Sequence, residues 1–506
     1  MIRKIKKEDI IVGFIAIMVI FGIVIYTGSL FSGYHLVDDN YAYIYVKDFQ
    51  NKSLFSTIVY WVKSDLTWRF RPLYKIEQII LAAIFGTNLN LWMFITALKG
   101  VVASLFLWKF ARACSLSRYF SCLFVGVCLL GDQFGIWIRQ GNQENTGMML
   151  LAITLFLLVK EAKMRTQKGS SVRLSFLLGF FIFLTSIEKE SFVIMIPAYI
   201  LLSVAFAMDA DIVGGEEIQE NSIQCIPVKK LINAWKSGWK QYTVWLVIMC
   251  IELIIIIFFV GTNENGYAGF SQDTGLREYI AGINKSILHS CKGFTCLVTF
   301  FGIYIVLYAK NLWKEYTGYC LSGLFIISSQ LLLHAKSGMW ERYKIPCVIG
   351  VAILAVIVFG KITDRTGKER NDIQQWPEWI YLSCLILFLL IGIKDSMDYA
   401  KSWTASSADG QDGICTALYS LSEENEEMAV LSDDSEHSAS ITAWLEARDR
   451  KITRYTFDNI KNLDGCRIIV IERDIEDGEE LLKAINWKGC EEVYKNNGFV
   501  IWIQEN

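Results

Sequence analysis

Residues 10–31 read IIVGFIAIMVIFGIVIYTGSLF, an apolar stretch without a single charged side chain. About 20 apolar residues in a helix are enough to cross the hydrocarbon core of a bilayer. The stretch follows the basic segment MIRKIKK (residues 1–7) and has no small-x-small cleavage site. We therefore expect it to be retained as a first membrane span and not removed as a signal peptide.

Ten further apolar runs are predicted to cross the membrane, so that the chain is a mainly α, polytopic membrane protein of about eleven spans. These runs lie near Leu91–Phe110, Tyr119–Leu130, Thr146–Val159, Leu174–Ile187, Phe192–Ala207, Tyr242–Gly261, Ser286–Ala309, Tyr319–Leu333, Tyr343–Gly360 and Trp379–Ile393. The shorter apolar run at residues 73–86 is typical of an interfacial or re-entrant helix that does not cross.

The composition agrees with a membrane protein. Of the 506 residues, 53% are hydrophobic and 20% are charged, whereas soluble globular domains carry roughly a quarter charged residues. These values exclude a disordered chain and a single soluble enzyme. Lys+Arg (49) and Asp+Glu (51) nearly cancel, which excludes a nucleic-acid binder selected by bulk positive charge.

The basic residues beside the predicted spans set the orientation. Eleven spans with a cytoplasmic N-terminus place the basic clusters Lys109–Arg118 and Lys160–Arg173 inside, where Lys and Arg are enriched. If residues 73–86 crossed the membrane, both clusters would lie outside, so the eleven-span topology is favoured. The odd number of spans then predicts that the C-terminal residues 396–506 lie outside the cytoplasm.

A change of composition after Asp395 divides the chain into a membrane domain (residues 1–395) and a polar, acidic domain (residues 396–506). Alternating apolar residues predict strands near Met428–Leu431, Arg467–Glu472 and Phe499–Ile503, and helical spacing predicts helices near Ser438–Ala447 and Glu479–Ile485. The second domain is therefore predicted to be a small extracytoplasmic α/β domain.

The first outer loop, residues 32–72, carries the adjacent acids Asp38 and Asp39. Neighbouring carboxylates repel each other, which can raise the pKa of one of them and help it to accept a proton. The alternative is a helix N-cap or a solvated turn before an amphipathic helix.

Arg69 and Arg71 precede Pro72, a residue suited to the first turn of a helix. Two guanidinium groups beside a helix N-terminus favour an anion, so a phosphate site is one interpretation of this pair. The other is that both arginines grip lipid headgroups.

Three further groups of polar residues lie at predicted outer span ends. The triplet Glu188–Glu190 is either the turn between two spans, or Glu190 orients a basic partner or binds a metal. Arg342, within Glu341-Arg342-Tyr343, binds a phosphate or carboxylate or else snorkels to the interface. His334 is either a core histidine or a ligand.

Together these motifs resemble the GT-C superfamily of integral membrane glycosyltransferases, especially its protein O-mannosyltransferase-like branch and bacterial relatives. The resemblance covers roughly residues 10–395. It implies that Asp38 is the catalytic base, with Asp39 as close alternative or partner. The implied donor-phosphate residues are Arg69, Arg71 and Arg342, and the implied supporting pocket residues are Lys189, Glu190, Glu341, Tyr343 and His334.

The resemblance further implies inverting transfer of a sugar from a polyprenyl-phosphate donor to a hydroxyl of a cell-envelope glycan, lipid or protein. No nucleic-acid partner and no certain cofactor are implied. A divalent metal lacks a clear ligand set, because only Glu144 stands where some relatives have a second acidic motif. The alternatives are a transporter or flippase of lipid-linked sugars, a polymerase or ligase, and a sensory protein.

Overall fold

The computed structural model describes residues 7–169, 171–213, 228–260, 275–308, 315–336, 338–366, 376–407, 410–423, 426–431, 435–455, 467–472, 490–496 and 498–504. Within these ranges the chain forms a large helical part followed by a small domain built on a five-stranded sheet. The predicted fold class, a mainly helical membrane protein with a C-terminal α/β domain, is confirmed.

Seventeen α-helices belong to the described part of the membrane domain. They are α1 (Lys7–Tyr26), α2 (Asn40–Phe49), α3 (Leu54–Asp65), α4 (Pro72–Phe85), α5 (Leu89–Ala113), α6 (Arg118–Leu129), α7 (Gln143–Lys168), α8 (Val172–Ser186), α9 (Glu190–Val193), α10 (Ile196–Val213), α11 (Val228–Ile255), α12 (Leu276–Lys285), α13 (Lys292–Tyr308), α14 (Thr317–Leu333), α15 (Cys347–Ala352), α16 (Phe359–Thr366) and α17 (Trp376–Ser406). A π-helical segment, Ile353–Val358, joins α15 to α16.

Six helical segments of the described chain are long and apolar enough to cross a membrane. They are α1, α5, Glu190–Asp209, Lys230–Val260, Cys347–Asp364 and α17. The pair α12 and α13, bent by 86°, would add a seventh, and α6, α8 and α14 are shorter apolar helices. The described parts of the eleven predicted spans are largely helical, some of them broken, so the protein is a multi-pass membrane protein. The number eleven and the orientation stay predictions.

Helix α4 lies where the sequence predicts an interfacial helix, one residue earlier at each end. Its 14 residues extend only about 21 Å at 1.5 Å per residue, less than the roughly 30 Å of hydrocarbon. Pro72 opens the helix, and Tyr74, Lys75, Gln78 and Ile79 are buried on one side. Helix α4 therefore lies against the protein at one end of the spans.

Helix α7 is the central helix of the membrane domain. It packs against α5, α8 and α10, and Met148, Leu151 and Leu155 on it are fully buried. Because protein surrounds α7, the polar residues at its N-terminal end are held inside the molecule and not exposed to lipid.

The C-terminal domain has a mixed sheet in the order β2-β1-β3-β5-β4. The helices and strands of this domain are α18 (Thr416–Leu421), β1 (Glu427–Leu431), α19 (Ser435–Glu446), β2 (Lys451–Tyr455), β3 (Ile468–Glu472), β4 (Cys490–Lys495) and β5 (Phe499–Gln504). Strand β1 is parallel to β2 and β3, and β5 is antiparallel to β3 and β4.

The predicted strands at β1, β3 and β5 and the predicted helix at α19 are confirmed. Strands β2 and β4 were not predicted, and the predicted helix Glu479–Ile485 lies outside the described residues. Helix α17 continues past residue 395 to Ser406, so the composition change that we used as a domain boundary falls inside a helix.

Close packing of α14 on α15 gives a test of the membrane core. A Cβ atom on Gly350 would lie 2.6 Å from the carbonyl oxygen of Gly323, closer than such atoms approach. We expect Gly350→Leu to destabilise the protein by about 2 kcal/mol or more through overpacking, seen as a lower Tm in detergent. Gly302→Leu is the control, because no atom lies within 4 Å of the position of its Cβ. Equal Tm values for the two variants would contradict this packing.

Candidate functional site

The site begins at Asp38, whose backbone adopts φ +68°, in the left-handed region that non-glycine residues rarely occupy. Gly141, in the loop before α7, packs directly on it. A Cβ on Gly141 would lie 2.1 Å from the Cβ of Asp38, so only glycine fits there. The first outer loop therefore packs against the residues directly before α7.

Two arginines flank the Asp38 carboxylate. Its Oδ2 lies 3.4 Å from Nη1 of Arg342 and 3.6 Å from Nη2 of Arg139. The Asp38 side chain is 16% exposed, so the carboxylate is paired and still reached from outside. These arginines come from different loops, and only the fold brings them together.

Asp39 has different surroundings from Asp38. It is buried, and its Oδ2 accepts hydrogen bonds from the backbone N of His35 (2.8 Å) and from its Nδ1 (3.0 Å). The His35 ring stacks on Trp403 of α17 at 4.2 Å. Asp39 therefore fixes the shape of the turn, while Asp38 faces the arginines.

Arg71 and Arg342 meet at the N-terminal end of α7. Nη1 of Arg71 donates to Oε1 of Gln143 (3.4 Å), and Nη1 of Arg342 donates to Oδ1 of Asn142 (2.7 Å). Arg71 is also held by Asp65, which accepts from its Nε and Nη2 at 2.9 and 3.0 Å. Arg71 and Arg342, which are both predicted to bind the donor phosphate, thus contact the adjacent residues Gln143 and Asn142.

The same helix end presents buried amide groups. Nδ2 of Asn142, Nε2 of Gln143 and Nδ2 of Asn145 have no hydrogen-bond partner among the described residues. The N-terminus of a helix carries a partial positive charge and favours an anion. With two guanidinium groups beside it, this helix end is suited to a phosphate group.

Lys189 forms a buried ion pair with Glu144 of α7. Its Nζ donates to Oε1 of Glu144 at 2.6 Å, and both side chains are at most 3% exposed. The Lys189 ammonium also lies 4.5 Å from the centre of the Tyr343 ring. Glu144, which the sequence left without a role, is therefore the partner that allows Lys189 to be buried.

His334 stacks on the Tyr343 ring with centroids 4.9 Å apart. Burial and the nearby Lys189 lower the pKa of His334 to about 3, so the ring is neutral at physiological pH. It therefore contributes an aromatic surface and no charge.

The remaining predicted residues lie around this cluster. Glu341 faces Tyr399 of α17 in a side-chain hydrogen bond. Oε2 of Glu190, at the start of α9, is buried without a hydrogen-bond partner in the described part of the chain. Arg69 lies two residues before Arg71, and its backbone N donates to the carbonyl of Asp65 at 2.8 Å.

A buried lysine, Lys75 on α4, was missed by the sequence analysis. Its side chain is 2% exposed, and Nζ lies 3.5 Å from Oδ1 of Asp65. Nζ donates to the Tyr45 hydroxyl (3.3 Å) and lies 4.2 Å from the Tyr41 ring centre. Burial lowers the pKa of Lys75 to about 8.

The ion pair between Glu77 of α4 and Lys99 of α5 was also not predicted. Lys99 forms an ion pair with Glu77 and donates to Oδ1 of Asn145 at 3.1 Å, while Thr146 donates to Oε2 of Glu77 at 2.6 Å. Lone charges in otherwise apolar helices are costly unless paired. That signal was available in the sequence for both Lys75 and Lys99.

The residues around Asp38 do not fit a metal ion. No group of three His, Cys, Asp or Glu side chains within the described ranges could hold one. The carboxylates nearest the first outer loop are engaged by Arg139 and Arg342 or by His35.

The buried Lys75 gives a pH prediction. Its pKa is about 8 in the folded protein against 10.5 without burial, so between these values the unfolded chain binds more protons and stability rises with pH. Across that window the rise is about 3 kcal/mol. We expect Lys75→Met to remove this rise, measured as the difference between the free energies of unfolding at pH 8 and at pH 10.5. Lys63→Met, at an exposed position of α3, should keep it. A wild-type pH dependence in Lys75→Met would contradict the assignment.

No protein-family model matches the sequence, and no curated protein matches it either. Among solved structures, the chain is similar to ArnT from Cupriavidus metallidurans bound to undecaprenyl phosphate, with 12% identity, a TM-score of 0.49, and 97% of this chain and 98% of that chain covered.

It is also similar to an oligosaccharyltransferase from Archaeoglobus fulgidus in the apo form, with 12% identity, a TM-score of 0.48, and 99% of this chain and 75% of that chain covered. A third is the oligosaccharyltransferase AglB of that organism in complex with an inhibitory peptide and a dolichol-phosphate, with 13% identity, a TM-score of 0.48, and 92% and 69% covered. The identities are low, so the residue roles proposed below rest on contacts within this protein.

Proposed function

We propose that this protein is a membrane glycosyltransferase of the GT-C type that moves a sugar from a polyprenyl-phosphate donor to a hydroxyl group of a cell-envelope acceptor on the outer face. One observation carries the proposal. Arg71 and Arg342, far apart in sequence, reach adjacent residues at the start of α7, and Arg342 also contacts Asp38. An anion site and a carboxylate therefore lie side by side.

The anion site would hold the donor phosphate. When the bond between the sugar and the phosphate oxygen breaks, negative charge develops on the departing lipid phosphate. Guanidinium groups and a helix N-terminus that are already in place stabilise such charge without reorganisation. We assign this role to Arg71 and Arg342, and add Arg69 because it lies in the same short loop before α4.

Asp38 would be the base. Both flanking arginines contact its Oδ2, so Oδ1 is the oxygen that can accept the proton of the acceptor hydroxyl. The acceptor oxygen attacks the anomeric carbon from the face opposite the phosphate, the sugar–phosphate bond breaks, and its electron pair leaves with the phosphate. The configuration is inverted, and the proton ends on Asp38.

The supporting residues would shape the pocket behind the two reacting groups. Tyr343 is contacted by Lys189 on one side and by His334 on another, so its ring forms a wall next to Arg342. Glu190 and Glu341 are the chain neighbours of Lys189 and Arg342. We propose that these two carboxylates contact sugar hydroxyls.

An apolar groove of about 480 Å³ could hold the lipid chain. It lies between α10 and α14 and is lined by Leu201, Leu321, Leu324, Phe325, Ile327, Ser328 and Leu331. Lys189 directly precedes α9, Glu190 is the first residue of α9, and α10 follows; His334 comes directly after α14. The groove therefore lies between two helices whose ends reach the site.

The proposal is tested by label transfer from radiolabelled polyprenyl-phosphate hexoses to a panel of envelope acceptors, using purified protein. We expect Asp38→Asn to lower kcat by about 10²-fold or more, as loss of a general base does. Asp39→Asn should have a smaller effect through the shape of the turn. The control Asp398→Asn, exposed on α17, should behave as wild type.

Two results would overturn parts of this proposal. Full transfer by Asp38→Asn would show that Asp38 is not the base. If no donor supports transfer and lipid-linked sugar moves across liposome membranes, the protein is a transporter and not a glycosyltransferase.

A further inference from the structure

The C-terminal domain is bonded directly to the segment of the first outer loop that carries Asp38. The Tyr34 hydroxyl donates to the backbone carbonyl of Ser440 (2.7 Å), and the Ser440 hydroxyl donates to the backbone carbonyl of Leu36 (2.6 Å). The two hydrogen bonds run in opposite directions between the same two segments. We call this pair of bonds the Tyr34–Ser440 clamp.

The clamp is shielded from water. Tyr34 and Ser440 are fully buried, and Leu36 is 6% exposed. A carbonyl left without its donor in such a place loses a hydrogen bond that water cannot replace, which costs roughly 1–3 kcal/mol. Removing either hydroxyl should therefore loosen the segment noticeably.

Apolar contacts fix the position of the clamp. Helix α19 packs on α2, and Ile441 and Leu445 of α19 share one buried cluster with Tyr34 and Tyr43 of the first outer loop. The position of Ser440 relative to Leu36 is thus set by packing, and the clamp is part of a continuous core between the two domains.

The clamp acts two residues before Asp38. A left-handed backbone at a non-glycine residue persists only when its surroundings enforce it. Gly141 bounds Asp38 on the α7 side, Trp403 of α17 supports His35, and Ser440 holds Leu36. Ser440 is the member of this set that belongs to the C-terminal domain.

We propose that Ser440 is a positioning residue for Asp38, so that the C-terminal α/β domain is part of the catalytic unit. This inference rests on the proposed function. It assigns the C-terminal domain a role that no sequence motif indicates: Ser440 holds the loop of the base in its reactive shape through one buried hydroxyl.

The test uses full-length protein in the transfer assay described above, with Ser440→Ala, Tyr34→Phe and the double variant. We expect each single variant to lower kcat about tenfold while the KM for the donor stays within about twofold, since the anion site is untouched. The double variant should be little worse than either single variant, because both bonds hold the same segment. Ser420→Ala is the control, since its exposed hydroxyl donates to the backbone carbonyl of Ala417 within α18.

Hydrogen exchange of the peptide spanning residues 34–42 gives a readout that does not depend on activity. We expect faster exchange in Ser440→Ala than in wild type and no change in Ser420→Ala. Unchanged exchange, unchanged kcat, or a fall in kcat matched by an equal rise in donor KM would each overturn the positioning role. If wild type transfers no sugar, the proposed function fails, and the exchange result still shows whether the clamp holds the loop.

Discussion

A charged side chain withdrawn from water inside a membrane protein needs a partner, and this constraint organises the protein around the N-terminal end of α7. Glu144 compensates Lys189, and Asp38 lies between Arg139 and Arg342. Because each charge is placed by its partner, the cluster is a fixed arrangement of charges and dipoles. Such an arrangement stabilises a developing negative charge without having to reorganise.

The cluster is assembled from distant parts of the chain. The first outer loop brings Asp38, the loop before α4 brings Arg71, and the loop after α14 brings Arg342. Helix α19 then covers the outer loop and bonds to it through Ser440. The C-terminal domain is thereby bonded to the segment that carries Asp38.

Short sequence patterns predicted many of the helices and strands, because their formation depends mainly on neighbouring residues. The apolar runs gave the helices, Pro72 marked the start of α4, and alternation gave β1, β3 and β5. The difference between Asp38 and Asp39 could not be predicted, because it depends on the contacts of Asp38 with Gly141, Arg139 and Arg342, far away in the chain. The partners of Lys75 could not be predicted for the same reason. Its position in a mostly apolar helix did indicate that its charge needs a partner.

The most direct test of the central claim is a structure of the protein with a polyprenyl phosphate bound. The account predicts phosphate oxygens within about 3 Å of the guanidinium nitrogens of Arg71 and Arg342, at the start of α7 and beside Asp38. A phosphate bound elsewhere, with both arginines still engaged only by Asp65, Asn142, Gln143 and Asp38, would contradict it.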